Sequence, residues 1–152
     1  MTKVTKWFLI AAVAVVLLLG SAIGVVIGVG FYGWKQAVRD GNETAAASRV
    51  VTISVVQIQY YTEHASYGTF DQLVEDRLLD SRFAGSAPIV DGYIYTLKVT
   101  LKTAGQKTSF ALNADPESMT TGSKHFYIDD VSATIRVNSE RPANAGDPPY
   151  FR

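Results

Sequence analysis

Residues 44–64 read TAAASRVVTISVVQIQYYTEH, and whether this stretch is helix or strand decides the fold. Ala45, Ala46 and Ala47 favour helix, whereas Val50, Val51, Thr52, Ile53, Val55 and Val56 carry strand propensity. Strict alternation fails at Val50-Val51 and again at Val55-Val56, so a half-buried strand fits poorly. The stretch also runs for 21 residues without a turn signal, which suits a helix. Its apolar face is broad, as expected for a helix covered on more than one side. Just upstream, Asp40-Gly41-Asn42 is a breaker signal, and Asn42 is a candidate N-cap for a helix opening at Glu43.

Downstream, Gly68 ends the helical region and Thr69-Phe70-Asp71-Gln72 has capping-box spacing. Phe70, Leu73, Val74 and Leu78 then fall on one helical face, predicting a second, shorter helix that ends near Asp80. Residues 81–92 read as a loop. From Tyr93 the period changes to two: Tyr93, Tyr95, Leu97, Val99 and Leu101 alternate with Ile94, Thr96, Lys98 and Thr100. Ala104-Gly105 centres a hairpin turn, and residues 108–114 form the return strand with Phe110 and Leu112 on one face. Residues 124–128 and 133–138 supply a third and a fourth strand. Residues 139–152 carry Pro142, Pro148 and Pro149 and read as an extended tail. A long helix over a four-stranded antiparallel meander makes two layers, an α+β domain.

The run of 28 residues from Trp7 to Trp34 contains no charged side chain and is bracketed by Lys3, Lys6 and Lys35. As a helix it would be about 42 Å long, more than the roughly 30 Å hydrocarbon core of a bilayer. It predicts a transmembrane helix with the lipid bilayer as a partner. Trp7 and Phe8 at one end and Tyr32 and Trp34 at the other are the expected membrane-interface aromatics. Gly20, Gly24 and Gly28 recur every four residues, a spacing that lets a second helix approach and marks them as helix-association positions. The alternative is a cleaved signal peptide, with Gly20-Ser21-Ala22 as the small-residue site. Continuation of the run through Val25, Val26, Ile27, Val29 and Phe31 favours the uncleaved anchor. Lys3 and Lys6 bias the N-terminus toward the cytoplasm, with the remainder extracytoplasmic at the cell (inner) membrane. The organisation expected is a cytoplasmic tail (1–6), membrane helix (7–34), juxtamembrane linker (35–42), globular domain (43–138) and Pro-rich tail (139–152).

Fourteen basic residues balance fourteen acidic ones, so no nucleic-acid footprint is present. Cysteine is absent, which excludes disulfides, thiol catalysis and cysteine-ligated metals. The two histidines, His64 and His125, stand in no metal-ligand spacing, and no phosphate loop or nucleophile elbow occurs. Asp129-Asp130 and Asp147 offer acidic groups without calcium-site spacing. Asn42-Glu43-Thr44 matches a glycosylation acceptor. No catalytic, cofactor or metal site is assigned, and the chain reads as a non-enzyme.

Several short motifs in order carry a resemblance. Gln57-Ile58-Gln59-Tyr60-Tyr61 is followed by Tyr67-Gly68-Thr69-Phe70-Asp71-Gln72-Leu73, a Y-x-T-x-x-x-L segment. Gly92-Tyr93-Ile94-Tyr95, then Phe110-Ala111-Leu112-Asn113-Ala114-Asp115-Pro116, precede Phe126-Tyr127-Ile128-Asp129 and Thr134-Ile135-Arg136. Over residues 43–138 the chain resembles type IV pilins and the pseudopilins of type II secretion. The pattern departs at the N-terminus: Gly30-Phe31 lies at the far end of the apolar run, and Lys35 stands where the family has a glutamate. The prepilin cleavage motif is therefore missing. The resemblance implies a single-pass, membrane-anchored structural or assembly protein, accessory to a pilus or type II secretion system. Its partners would be copies of itself or subunits of that machinery. The alternatives are a monomeric membrane-anchored extracytoplasmic binding module and, more remotely, an uncharacterised enzyme.

Overall fold

The computed structural model describes the backbone of residues 3–151 and the side chains of residues 33–151. The first element is one helix, α1 (Lys3–His64), with no break at Asp40-Gly41-Asn42. Gly41 meets nothing on its helical face and is simply carried through, so Asn42 is not an N-cap. By internal contacts the chain divides into residues 1–37 and 38–152.

In the second unit, α1 buries Glu43, Ala46, Val50, Ile53, Gln57 and Tyr60, with Ala47 beside them. These positions alternate steps of three and four, the repeat that keeps one seam of a helix facing its neighbour. The seam packs with Tyr93, Tyr95, Leu112, Ala114, Phe126 and Ile128 in the core. Here periodicity overrides the strand propensity of the valines, because tertiary burial outweighs intrinsic preference. Ala65, at φ 53°, ends the helix in the left-handed conformation, and its N–H bonds the carbonyl of Tyr61 at 2.8 Å.

The capping box forms as the sequence indicates. Thr69 N donates to Gln72 Oε1 at 2.9 Å and Gln72 N to Thr69 Oγ1 at 3.4 Å, opening α2 (Phe70–Glu75). This helix stops well before Asp80. Arg77 takes a left-handed φ of 60°, and the N–H groups of Leu78 and Leu79 both turn back to the carbonyl of Leu73. A single 3-10 turn, Ser81–Phe83, follows.

The sheet has five strands rather than the four expected, in the order β1-β2-β3-β4-β5 with every pair antiparallel. They are β1 (Ile89–Val90), β2 (Tyr93–Thr100), β3 (Ser109–Pro116), β4 (His125–Asp129) and β5 (Arg136–Asn138). The additional strand, β1, arises within the predicted loop 81–92. Asp91 and Gly92, at φ 48° and 74°, make a two-residue turn that sets Val90 opposite Tyr93. Register places Tyr95, Ala114, Phe126 and Val137 in one row across the sheet, and Leu97, Leu112 and Ile128 in the next. Both rows face α1.

The N-terminal transmembrane helix expected over residues 7–34 is not supported. Among the described residues no helix is long and apolar enough to cross a membrane. The described side chains of α1 include Lys35, Arg39, Asp40, Glu43, Arg49 and Glu63, too much charge for a bilayer interior. The expected arrangement of a membrane helix followed by a separate amphipathic helix is replaced by the single element α1.

Residues 139–150 do not trail away from the domain. Ala143 and Asp147 are buried, and Asn113 Nδ2 donates to the carbonyl of Ala143 at 2.7 Å. The chain then pairs along the free edge of β5: Val137 N donates to Pro148 O at 3.0 Å and Tyr150 N to Ile135 O at 2.8 Å. The Tyr150 ring meets Phe126 edge-on, 5.2 Å between centroids.

Candidate functional site

Away from the core seam, α1 presents a second apolar stripe. Val51, Val55 and Ile58 are spaced four and three residues apart, on one helical face, and are 45%, 58% and 58% exposed. The residues around them are small or polar: Thr52, Ser54 and Thr62 turn their hydroxyls onto the helix, donating to the carbonyls of Ser48, Val51 and Ile58. Beside the stripe is a groove of about 430 Å³ lined by Ser48, Val51, Thr52, Ile135 and Tyr150. β-branched residues in register with no cover form a surface for another apolar face.

A polar cluster fixes α1 to the loop before β4. The buried Glu43 accepts from Ser123 N and Ser123 Oγ, each at 2.9 Å, and from Lys124 Nζ at 2.7 Å. Burial alone would push the Glu43 carboxyl up, but the Lys124 and Ser123 hydrogen bonds outweigh it and hold it below its ordinary range. The same bond to Glu43 raises Lys124. Next to this cluster, Asn42 Nδ2 donates to Thr121 O at 3.1 Å. A side chain on Gly122 would collide with the Tyr93 hydroxyl, which itself donates to Lys124 O at 3.0 Å. Burial first, then the Glu43 charge, pushes the Tyr93 phenol well above its usual value.

The acidic groups near the C-terminus are satisfied from within. Asp129 accepts from Ser132 N at 2.8 Å, Ser132 Oγ at 2.9 Å, Val131 N at 3.2 Å and Tyr127 OH at 3.0 Å. Burial opposes these bonds, which nevertheless hold its carboxyl below the usual range. Tyr127 is pushed up to about 12 by burial and by its bond to Asp129. Asp147 accepts from Asn138 Nδ2 at 2.9 Å, Asn144 N at 2.8 Å and both terminal nitrogens of Arg141, at 2.8 and 3.0 Å. The Asn138 bond leads in lowering it. His64 Nε2 lies 2.8 Å from Asp76 Oδ2 and its ring stacks on Tyr60, whereas His125 Nδ1 lies 2.6 Å from Asp115 Oδ1. The histidines thus belong to separate pairs, and among the described residues no group of three or more His, Asp or Glu is placed to hold a metal.

The sequence-marked positions distribute as follows. Gly20, Gly24, Gly28, Trp7, Phe8 and Tyr32 fall within α1 but outside the residues whose side chains are described. Trp34 is described and is 64% exposed. Asn42 and Glu43 of the glycosylation sequon are both engaged with residues 121–124, so the Asn42 amide is not presented for modification. Most tyrosines serve packing: Tyr93 and Tyr95 are core residues, Tyr67 meets Phe110 edge-on, and Tyr61 is the exposed exception on α1. Sequence reading foresaw a broad apolar face without identifying Val51, Val55 and Ile58 as the uncovered part; subtracting the three-four seam would have isolated them. No family model, curated protein or solved structure matches the chain.

Proposed function

We propose that this chain is a non-enzymatic, pilin-like structural subunit that associates with copies of itself through the outer face of α1. The observation that carries this reading is the uncovered stripe of Val51, Val55 and Ile58 beside the Ile135–Tyr150 groove. A neighbouring helix laid along the stripe would bury its three side chains and seat an apolar knob in the groove. The sheet offers no competing route. β1 has only two residues, and the edge of β5 is taken by Pro148 and Pro149, so pairing between edges is blocked on both sides. Attachment to a membrane, with the globular part extracytoplasmic, draws support from the sequence alone: the uncharged residues 7–34 behind Lys3 and Lys6. The order of the short motifs over residues 43–138 supports an accessory role beside a pilus or type II secretion machinery.

Because the chain has no cysteine, a single introduced one reports only its own position. Val55→Cys and Ile58→Cys, oxidised in isolated membranes, are expected to give crosslinked dimers, while a cysteine at the exposed Gln106 gives none. A single monomeric band from both helix variants would replace the assembly reading with that of a solitary binding module.

A further inference from the structure

On a different face, a pocket of about 460 Å³ lies between the exit of β3, the loop before β4 and the start of the C-terminal segment. Arg39, Ser118, Ser123, His125, Ser139 and Glu140 line it. Its volume falls within the range of small-molecule sites. Arg39 is the informative residue. Its Nε is buried without a hydrogen-bond partner, and among the described residues it enters no ion pair. That N–H is sealed from the pocket space, so what Arg39 offers an anion is the positive charge that its side chain carries to the pocket wall.

The other basic groups around the pocket are occupied. Lys124 is bound to Glu43 at 2.7 Å, and His125 is held through Nδ1 by Asp115 at 2.6 Å, which orients the imidazole. Glu140 is the one acidic side chain lining the space. Three serines supply the remaining polar lining: Ser118 Oγ already belongs to a hydroxyl chain with Thr120 and Thr121, and Ser123 Oγ already donates to Glu43, which leaves the Ser139 hydroxyl for a ligand. A guanidinium at the wall with a serine hydroxyl lining the same space suits a tetrahedral oxyanion. The space exceeds what a lone oxyanion fills and leaves room for an organic group attached to it.

We infer that this pocket binds a phosphate-bearing ligand, anchored on Arg39 between Ser139 and the His125 wall. The inference rests on no part of the assembly reading. Phosphate on a soluble metabolite and phosphate in a lipid headgroup share this chemistry, so two probes separate them: inorganic phosphate and dihexanoyl phosphatidylglycerol. Each is titrated calorimetrically into the full chain held in a maltoside detergent. Saturable one-site binding of at least one probe is expected, with stronger binding of phosphate assigning a soluble source and stronger binding of the lipid a headgroup. Arg39→Gln is expected to weaken it by at least about tenfold, and Glu140→Gln to tighten it several-fold by removing a like charge facing the anion. Saturation by neither probe overturns the inference, as does wild-type affinity in a folded Arg39→Gln variant. Should Arg39→Gln fail to fold, an unchanged or weakened affinity in Glu140→Gln overturns it equally.

Discussion

Gln57 and Gly68 are joined by two hydrogen bonds in the core: Gln57 Nε2 donates to Gly68 O at 2.7 Å, and Gly68 N donates to Gln57 Oε1 at 3.0 Å. The amide side chain acts as a piece of backbone, pairing with the chain as it returns from the end of α1. Gln57→Leu keeps much of the volume but strands one buried N–H and one buried C=O. Chemical denaturation should show a loss of about 2–4 kcal/mol. An unchanged midpoint would mean that the return segment finds other partners.

Glu43 contributes to the acid response. Its carboxyl titrates below the ordinary value of 4.5 in the folded protein, because the Lys124 and Ser123 bonds overcome the opposing effect of burial. A carboxyl depressed on folding contributes stability above its unfolded value, and that contribution is lost as pH falls through the folded value. Stability should therefore decline as pH drops below 4.5, with Asp129 and Asp147 adding to the decline below their ordinary value of 3.8. In urea melts across this range, Glu43→Gln should be less stable than wild type at neutral pH and show a shallower acid slope. Equal slopes would remove Glu43 from the account.

Ala65 ends α1 with a left-handed φ of 53°, a conformation glycine adopts without strain. Ala65→Gly should stabilise the domain by about 0.5–1 kcal/mol, read as a raised denaturation midpoint. A lowered midpoint would place the Ala65 methyl in a packing role that its exposure does not suggest.

Asp147 ties the C-terminal segment to β5 through Asn138, Arg141 and Asn144. Asp147→Leu should accelerate hydrogen exchange and proteolytic cutting across residues 139–150 while leaving the β2–β3 amides protected. Uniform loosening of the whole sheet would instead mean that the segment and the core unfold as one.

Much of the architecture was legible because it rests on period. The alternation of Tyr93, Tyr95, Leu97 and Val99 predicted β2, and the Thr69–Gln72 spacing predicted the cap of α2. The breaker reading of Asp40-Gly41-Asn42 failed because a helix tolerates one exposed glycine at modest cost when its flanks are anchored, here by the Glu43 cluster. β1 was missed although its signal was present: Asp91-Gly92 is the dipeptide of a tight hairpin, but a two-residue strand shows no alternation to accompany it. The pocket around Arg39 was not legible, since residues 39, 118, 125 and 140 meet only through the fold. The same holds for Asp147, whose partners are set by the path of the tail rather than by any motif.

Pro148 and Pro149 close the β5 flank, and they come after every strand in the sequence. A chain cut before Pro148 would therefore keep a complete meander that is bare along one side. Such clipped molecules would be adhesive toward one another, and a chaperone meeting them would have an open strand to hold.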